Sequence, residues 1–380
     1  MRENHYRKFK KRNSKKIKIF FVMSVLVIIF LVDNSRVSLA RILFYQTMPR
    51  YTNFFENYNL IGIENQIISN FDINQISEDF IINRYQNIIG INDISILDNV
   101  TEDFTSYVSS FDLHFSYEDI EDLRNVNILL NRFFSMDSRT GIVDKYLDID
   151  YFLTSNLQIE ITNEPQVLIF HTHAASEFFI DSPNNINLDY GIVGVGSTLS
   201  YILTNTYGIN VLHYRGVYDR IDGVVVRSGA YERIEPSIRN ILENYPSIQL
   251  VLDLHRDGVP ESSNPDLFRR NINGHETAMI MFVNGLSSIN ENGNIRNLSN
   301  IPNNYVRTNL ALSFNLQMAF SNRFPGLTRR IYLTPFRYIN HLRPLSSLVE
   351  VGTQISTMQE AHNAMQPLAY IIYSVVFANN

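Results

Sequence analysis

Beyond Pro165 the chain alternates short apolar runs with longer stretches whose apolar positions recur every three or four residues. The runs Val167–Phe170, Asn210–His213, Gln249–Leu254, Ala278–Val283 and Leu348–Val351 predict strands. The stretches Val193–Asn205, Glu235–Asn244, Tyr305–Phe320 and Thr357–Phe377 predict helices. Strands that alternate with helices are the pattern of βαβ units, so the expected fold is α/β, a mostly parallel sheet flanked by helices. The stretch from Ser287 to Asn304, dense in Asn, Ser and Gly, predicts a surface loop or a substrate-side insertion. Upstream, from about Arg36 to Asn163, Ile, Asn and Asp dominate and apolar positions fall at mixed spacing. Only Tyr117–Phe134, with Leu123, Val126, Ile128, Leu129 and Phe133, has helical spacing there.

The N-terminus has a pattern of its own. Nine Lys/Arg lie between Arg2 and Lys18, and the apolar run Ile19–Val32 follows with Ser24 as its one interruption. A basic head before an apolar run is an export or anchor signal. The run is nearer a signal-peptide core than the roughly 20 residues that cross a bilayer comfortably. Ser38 and Ala40 offer a small-x-small cleavage site, whereas Asp33, Asn34, Arg36 and the long basic head favour an uncleaved anchor. The expected organisation is a basic cytoplasmic head over 1–18, a transmembrane anchor or signal segment over 19–35, a membrane-proximal region over 36–163 and a catalytic domain over 164–380. The expected location is the cell membrane, single-pass with the catalytic domain outside, or secretion if the segment is cleaved.

Composition narrows the chemistry. Past the head, 23 of the 32 basic residues face 37 of the 38 acidic ones, a net charge near −14, which disfavours a nucleic-acid partner. The chain has no Cys, so disulfides and thiolate ligands are excluded and any metal must be held by His, Asp or Glu.

Three polar clusters stand at or near predicted strand ends, where open parallel sheets bind ligands. His171-Thr172-His173-Ala174-Ala175-Ser176-Glu177 follows the first strand and offers two imidazoles and a carboxylate, ordinary zinc ligands. Asp253-Leu254-His255-Arg256-Asp257-Gly258 closes the third strand with a His between carboxylates, one of which can fix the ligand's tautomer. Leu348-Val349-Glu350-Val351-Gly352 puts an acid inside an apolar strand, where a carboxylate needs a cation or a proton-transfer role. Read singly, these are also loop histidines, a surface Arg/Asp pair and an edge-strand Glu. His114, His213, His275, His341 and His362 lack neighbouring acids in a cluster and read as core or surface histidines.

At these clusters the chain resembles the stage II sporulation protein P family, within the wider fold of zinc-dependent N-acetylmuramoyl-L-alanine amidases. The resemblance spans about Glu164 to Phe377. It rests on VLIFHTHAASEFF at Val167–Phe179, VGVGSTLSYILTNTYGINVLHY at Val193–Tyr214, VLDLHRDG at Val251–Gly258 and LVEVGTQISTMQEAHNA at Leu348–Ala364. Before the last strand, where the family tends to carry a Tyr-Asn-Gln run, this chain has Tyr338-Ile339-Asn340-His341.

The resemblance implies a peptidoglycan hydrolase of sporulation engulfment that cuts the N-acetylmuramoyl-L-alanine amide, with activity on peptide cross-links as well. Its implied associates are the sporulation proteins D and M. It also implies that His255 is a Zn2+ ligand and Glu350 the catalytic acid/base. In the first cluster His171 and His173 both offer a ring, and the acidic ligand is Glu177 or Asp189; the assignment adopted is His171, Glu177 and His255 for the metal. Arg256 is assigned to the oxyanion or a substrate carboxylate. Two other readings stay open: a zinc endopeptidase acting only on cross-links, and a non-catalytic wall-binding scaffold.

Overall fold

The computed structural model describes residues 121–142, 144–183 and 186–378. The expected basic head, the apolar segment and most of the membrane-proximal region lie outside them. No helix among the described residues is long and apolar enough to cross a membrane.

In chain order the elements are α1 (Val126–Phe133), β1 (Phe134–Met136), α2 (Ile149–Thr154), β2 (Val167–Phe170), α3 (Ile192–Asn205), β3 (Val211–His213), a small hairpin of β4 (Arg220–Ile221) and β5 (Val224–Val225), α4 (Ala230–Asn244) and β6 (Leu250–Asp257). A second hairpin, β7 (Arg269–Ile272) with β8 (His275–Ala278), precedes β9 (Ile280–Gly285), and a third, β10 (Ser288–Glu291) with β11 (Asn294–Asn297), follows it. The chain ends with α5 (Val306–Arg323), β12 (Ile331–Thr334), β13 (Ser346–Thr353), α6 (Met358–Asn363), α7 (Met365–Ile372) and a π-helical turn over Tyr373–Phe377.

Seven strands form the central sheet in the order β1-β12-β9-β13-β6-β2-β3. Every neighbouring pair is parallel except β9 with β13. The sheet is thus mostly parallel and flanked by helices, as the alternating pattern predicts. Strands buried on both faces read as near-continuous apolar runs, and β2 (VLIF) is buried at every position.

The two faces are covered unequally. Val167 and Ile169 of β2, Leu250, Leu252 and Leu254 of β6, and Val349 and Val351 of β13 join the main core with α3, α5 and α7. Leu168, Phe170 and Val251 face the other way, onto Ile234, Ile238 and Leu242 of α4. Farther along that second face, Met281, Val283 and Leu348 are capped by Tyr332 and Tyr338.

Two differences from the sequence reading have physical causes. The single helix expected over Thr357–Phe377 is divided. A capping box of Thr357 and Glu360 starts α6, but Pro367, in the first turn of α7, has no N–H to continue the earlier ladder. The sheet also takes an edge strand, β1, from well before residue 164, where the catalytic domain is expected to begin. Three residues are too few to show a strand period.

Candidate active site

A strand's side chains alternate between the two faces of its sheet. Asp253 and His255 follow Val251 on the α4 face of β6, and Glu350 sits beside His255 in the parallel register of β13. These three residues therefore share one face at the carboxyl ends of adjacent strands. The loop His171–Glu177, leaving β2, supplies the rest.

That loop is pinned from several directions. Asp253 accepts from the Thr172 N–H (3.0 Å) and hydroxyl (2.7 Å). Asp219, fully buried, accepts from the Ala175 N–H (2.9 Å) and the Ser176 hydroxyl (2.6 Å). The Arg256 guanidinium donates to the carbonyls of Phe178 (2.9 Å), Ser176 (3.3 Å) and Asp257 (3.2 Å). Three of its five N–H donors go to main-chain oxygens, so Arg256 braces this loop, and the remaining two are those that the expected oxyanion-side role would use.

Glu177 is almost fully buried, and its carboxylate is the centre of the cluster. Oε1 lies 3.1 Å from His255 Nδ1 and 3.0 Å from Arg227 Nη2, and Oε2 accepts from the Arg256 N–H at 3.1 Å. Burial works against its charge, but the His255 imidazolium, with smaller help from Arg227, outweighs burial and holds the carboxyl below its ordinary pKa. His255 is held well above its ordinary pKa for the reciprocal reason: burial opposes the proton, and Asp253 and Glu177 override it.

His173 completes the cluster. Its ring centroid is 5.4 Å from that of His255 and 5.6 Å from that of Tyr231. Burial, aided by the His255 charge, takes its pKa down to about 4, so the ring is neutral and has a lone pair to offer. Its Nδ1 is buried without a hydrogen-bond partner.

His171 is turned the other way. The register Phe170↔Asp253 continues to place His171 beside Leu254, on the α3 face. The Leu254 carbonyl accepts from His171 Nδ1 (2.9 Å), which leaves Nε2 as the acceptor for His213 Nε2–H at 2.8 Å. Burial depresses the pKa of both rings, His171 to about 4, so this is a neutral pair with fixed tautomers. Both ring nitrogens of the expected ligand are therefore engaged away from His255 and Glu177. Asp189, the alternative acid, pairs with Arg215 and does not join the cluster. A Cβ at Gly196 of α3 would stand 2.6 Å from His171 Cε1 and Nε2. Gly196→Ala should therefore lower stability by about 1–3 kcal/mol through overpacking, read as an earlier urea midpoint; an unchanged midpoint would contradict this packing.

Glu350 projects toward the same cluster, partly open to solvent, with Oε2 unpartnered. Burial raises its pKa to about 8; the nearby His255 charge opposes the shift, while Glu177, Asp257 and Asp253 add to it. The folded protein holds this proton between the ordinary value of 4.5 and about 8, where the unfolded chain has lost it. Stability of metal-free protein from this group should fall as pH rises through that window. Urea titrations in chelator should show Glu350→Gln gaining on wild type as pH goes from acid to alkaline; a pH-independent difference would refute it.

Among the described residues no group of three metal-binding side chains stands at coordination distance as placed, yet the donors suit a divalent ion. Two ligands of a tetrahedral zinc with bonds near 2.0–2.1 Å are about 3.3 Å apart, and His255 Nδ1 and Glu177 Oε1 are separated by 3.1 Å. Asp253 Oδ1 lies 2.8 Å from His255 Nε2, the position of a carboxylate that orients a ligand histidine. The fit rests on these spacings and on the neutral His173 ring, 5.4 Å from His255 between centroids, whose buried Nδ1 has no hydrogen-bond partner and lies 4.0 Å from Asp219 Oδ2.

A comparison with curated proteins gave no match. Among solved structures the chain is similar to the N-acetylmuramoyl-L-alanine amidase AmiC2 of Nostoc punctiforme, with 14% identity over 55% of this chain and 96% of that one and a TM-score of 0.34. It is also similar to the CwlD amidase from Clostridioides difficile, solved in complex with the GerS lipoprotein, with 13% identity, 55% and 94% coverage and a TM-score of 0.34. A third is the amidase Ami1 from Mycobacterium abscessus, in its apo form, with 10% identity, 56% and 99% coverage and a TM-score of 0.30. The family described as Stage II sporulation protein P matches residues 136–373, a span that starts at the end of β1 and carries all three clusters. With more than half of its length matched, the chain belongs to the Stage II sporulation protein P family.

Proposed function

We propose that this protein is a sporulation peptidoglycan hydrolase, a zinc-dependent amidase that cleaves the bond between the muramic acid lactyl group and L-alanine. The observation that supports it most is the convergence of His173, Glu177 and His255 with Glu350 on one face, at the carboxyl ends of β6 and β13. In this reading His173, Glu177 and His255 hold the ion, with His173 in the place first assigned to His171. Bound zinc would polarise the scissile carbonyl and lower the pKa of a water molecule.

The chain's own residues do the remainder. Glu350 takes the proton of the attacking water on its free Oε2 and passes it to the leaving nitrogen. A carboxyl whose proton affinity burial has raised is suited to both transfers. Asp253, anchored by Thr172, stands 2.8 Å from His255 Nε2 where it can orient the ring, and Arg256 fixes the loop that carries Glu177 and His173. Arg227, with about half its side chain exposed while it contacts Glu177 and Ser176, presents a cation at the mouth of the site that suits the carboxylates of a stem peptide.

The basic head and apolar run support an anchor, or an export signal, that puts this domain outside the membrane, where tethering raises the local concentration of wall substrate. Partners such as sporulation proteins D and M belong to the same proposal. Incubating purified protein with sacculi, with and without chelator, tests it. Zinc-dependent release of free stem peptides from intact glycan is expected. Release of cut cross-bridges alone would replace the amidase by an endopeptidase, and no release at all would leave a scaffold.

A further inference from the structure

Helix α4 covers only the β2/β6 half of its face. Over β13, β9 and β12 the apolar side chains Met281, Val283 and Leu348 are sealed by tyrosines instead of a helix. The rings form a continuous row. Tyr231 stacks beside His255 with centroids 6.4 Å apart, Tyr338 follows at 5.0 Å from Tyr231, and Phe336 at 6.4 Å from Tyr338. Tyr231 and Tyr338 are partly exposed, and Phe336, at the far end, is 45% exposed.

The loop that carries the last two rings is held in an unusual shape. Tyr338 has φ 49°, in the left-handed region that non-glycine residues rarely occupy. A Cβ at Gly285, at the end of β9, would lie 2.2 Å from the Phe336 carbonyl oxygen, so only glycine lets the loop rest there. Backbone strain of this kind clusters at ligand-binding elements. At the far end Arg139 sits 5.4 Å over the Phe336 ring and is itself held by Asp137 (2.9 and 2.6 Å).

We infer that this aromatic row is the subsite for the glycan strand of the substrate. The inference rests on the amidase reading above. An amide attached to the lactyl group of a muramic sugar, placed beside His255 and Glu350, must have its sugar within one residue of the metal cluster, and the row begins there. The C–H face of a pyranose ring is apolar and weakly positive, which suits the negative face of an aromatic ring. The guanidinium and carboxylate of Arg139 and Asp137 at the outer end suit hydroxyl and acetamido groups better than an aliphatic partner. The stem peptide, carrying the carboxylates, leaves on the Arg227 side.

The chain contains no tryptophan, so Phe336→Trp places a sole indole at the end of the row. In protein also carrying Glu350→Gln, titration with peptide-free glycan strands should give a saturable change in indole emission, and titration with free stem peptide should give none. In the otherwise native full chain, Phe336→Ala should raise KM for glycan-linked peptide about tenfold, the loss of one stacking contact, with most of the effect in KM and little in kcat. Phe336 is exposed, so loss of the fold is not expected, and thermal melting checks it. An indole silent to glycan, or an unchanged KM, overturns the subsite. Glycan binding by inactive protein needs no bond cleavage, so it stands or falls apart from the amidase reading: binding with no amide hydrolysis removes the latter alone, and amide hydrolysis with no binding removes the former.

Discussion

His173→Ala should abolish zinc binding and lower kcat/KM to near background, whereas His171→Ala should purify with its metal. One residue separates the two rings, and from the sequence the expected ligand is His171. The sheet separates them. His171 is still governed by the alternation of β2, which sends its ring to the α3 face and onto Leu254 and His213. His173, two residues farther, has left the strand, and the Asp219, Arg220 and Arg256 contacts around it bend the loop back over the α4 face. Removing the His171 ring strands a buried carbonyl and a buried imidazole, at a cost of about 1–3 kcal/mol for each unsatisfied group. The expected signature is therefore an earlier thermal midpoint with one zinc retained. Metal analysis of the two variants beside their melting curves reads both effects, and a zinc-free His171→Ala that melts like wild type would reverse the assignment.

Glu350→Gln should reduce kcat by about 10²–10⁴, the range over which a positioned acid/base acts, while zinc content stays at the wild-type level. The amide keeps the volume and removes the basic oxygen. It also removes a carboxyl that burial has already made reluctant to ionise, so the fold should tolerate it well. Dye release from labelled sacculi measures the rate. Retention of more than a tenth of wild-type kcat would remove Glu350 from the chemistry and point to another base.

The sequence carried much of this molecule in its apolar pattern. The runs at Val167, Asn210, Gln249, Ala278 and Leu348 each overlap a strand of the central sheet, and all but the edge strand β3 are the apolar runs that doubly covered strands require. Ile331–Thr334 and Phe134–Met136 carry no such run: the first has Tyr332 at a half-covered position, and the second is a three-residue edge. For the site, His255 and Glu350 were legible because an acid or an imidazole inside an apolar strand announces a cost that something must offset. Glu177 was legible as the acid nearest two histidines. Arg227 and Tyr231 were not, since they reach the cluster through tertiary packing from an exposed turn and the first helical turn of α4. The His171/His173 choice was available in principle: counting the β2 alternation from Val167 and the β6 alternation from Val251 sets His171 and His255 on opposite faces. That count needs the strand register, which only the folded sheet supplies. The bracing part that Arg256 plays was not legible either, as its position beside His255 says nothing of the carbonyls that its guanidinium reaches.

Anomalous scattering at the zinc edge, from crystals of the full chain grown with zinc, locates the proposed ion directly. A single peak within bonding distance of His173, Glu177 and His255, with Glu350 beside it, is the predicted result. A peak between His171 and His213, on the α3 face, would contradict the account.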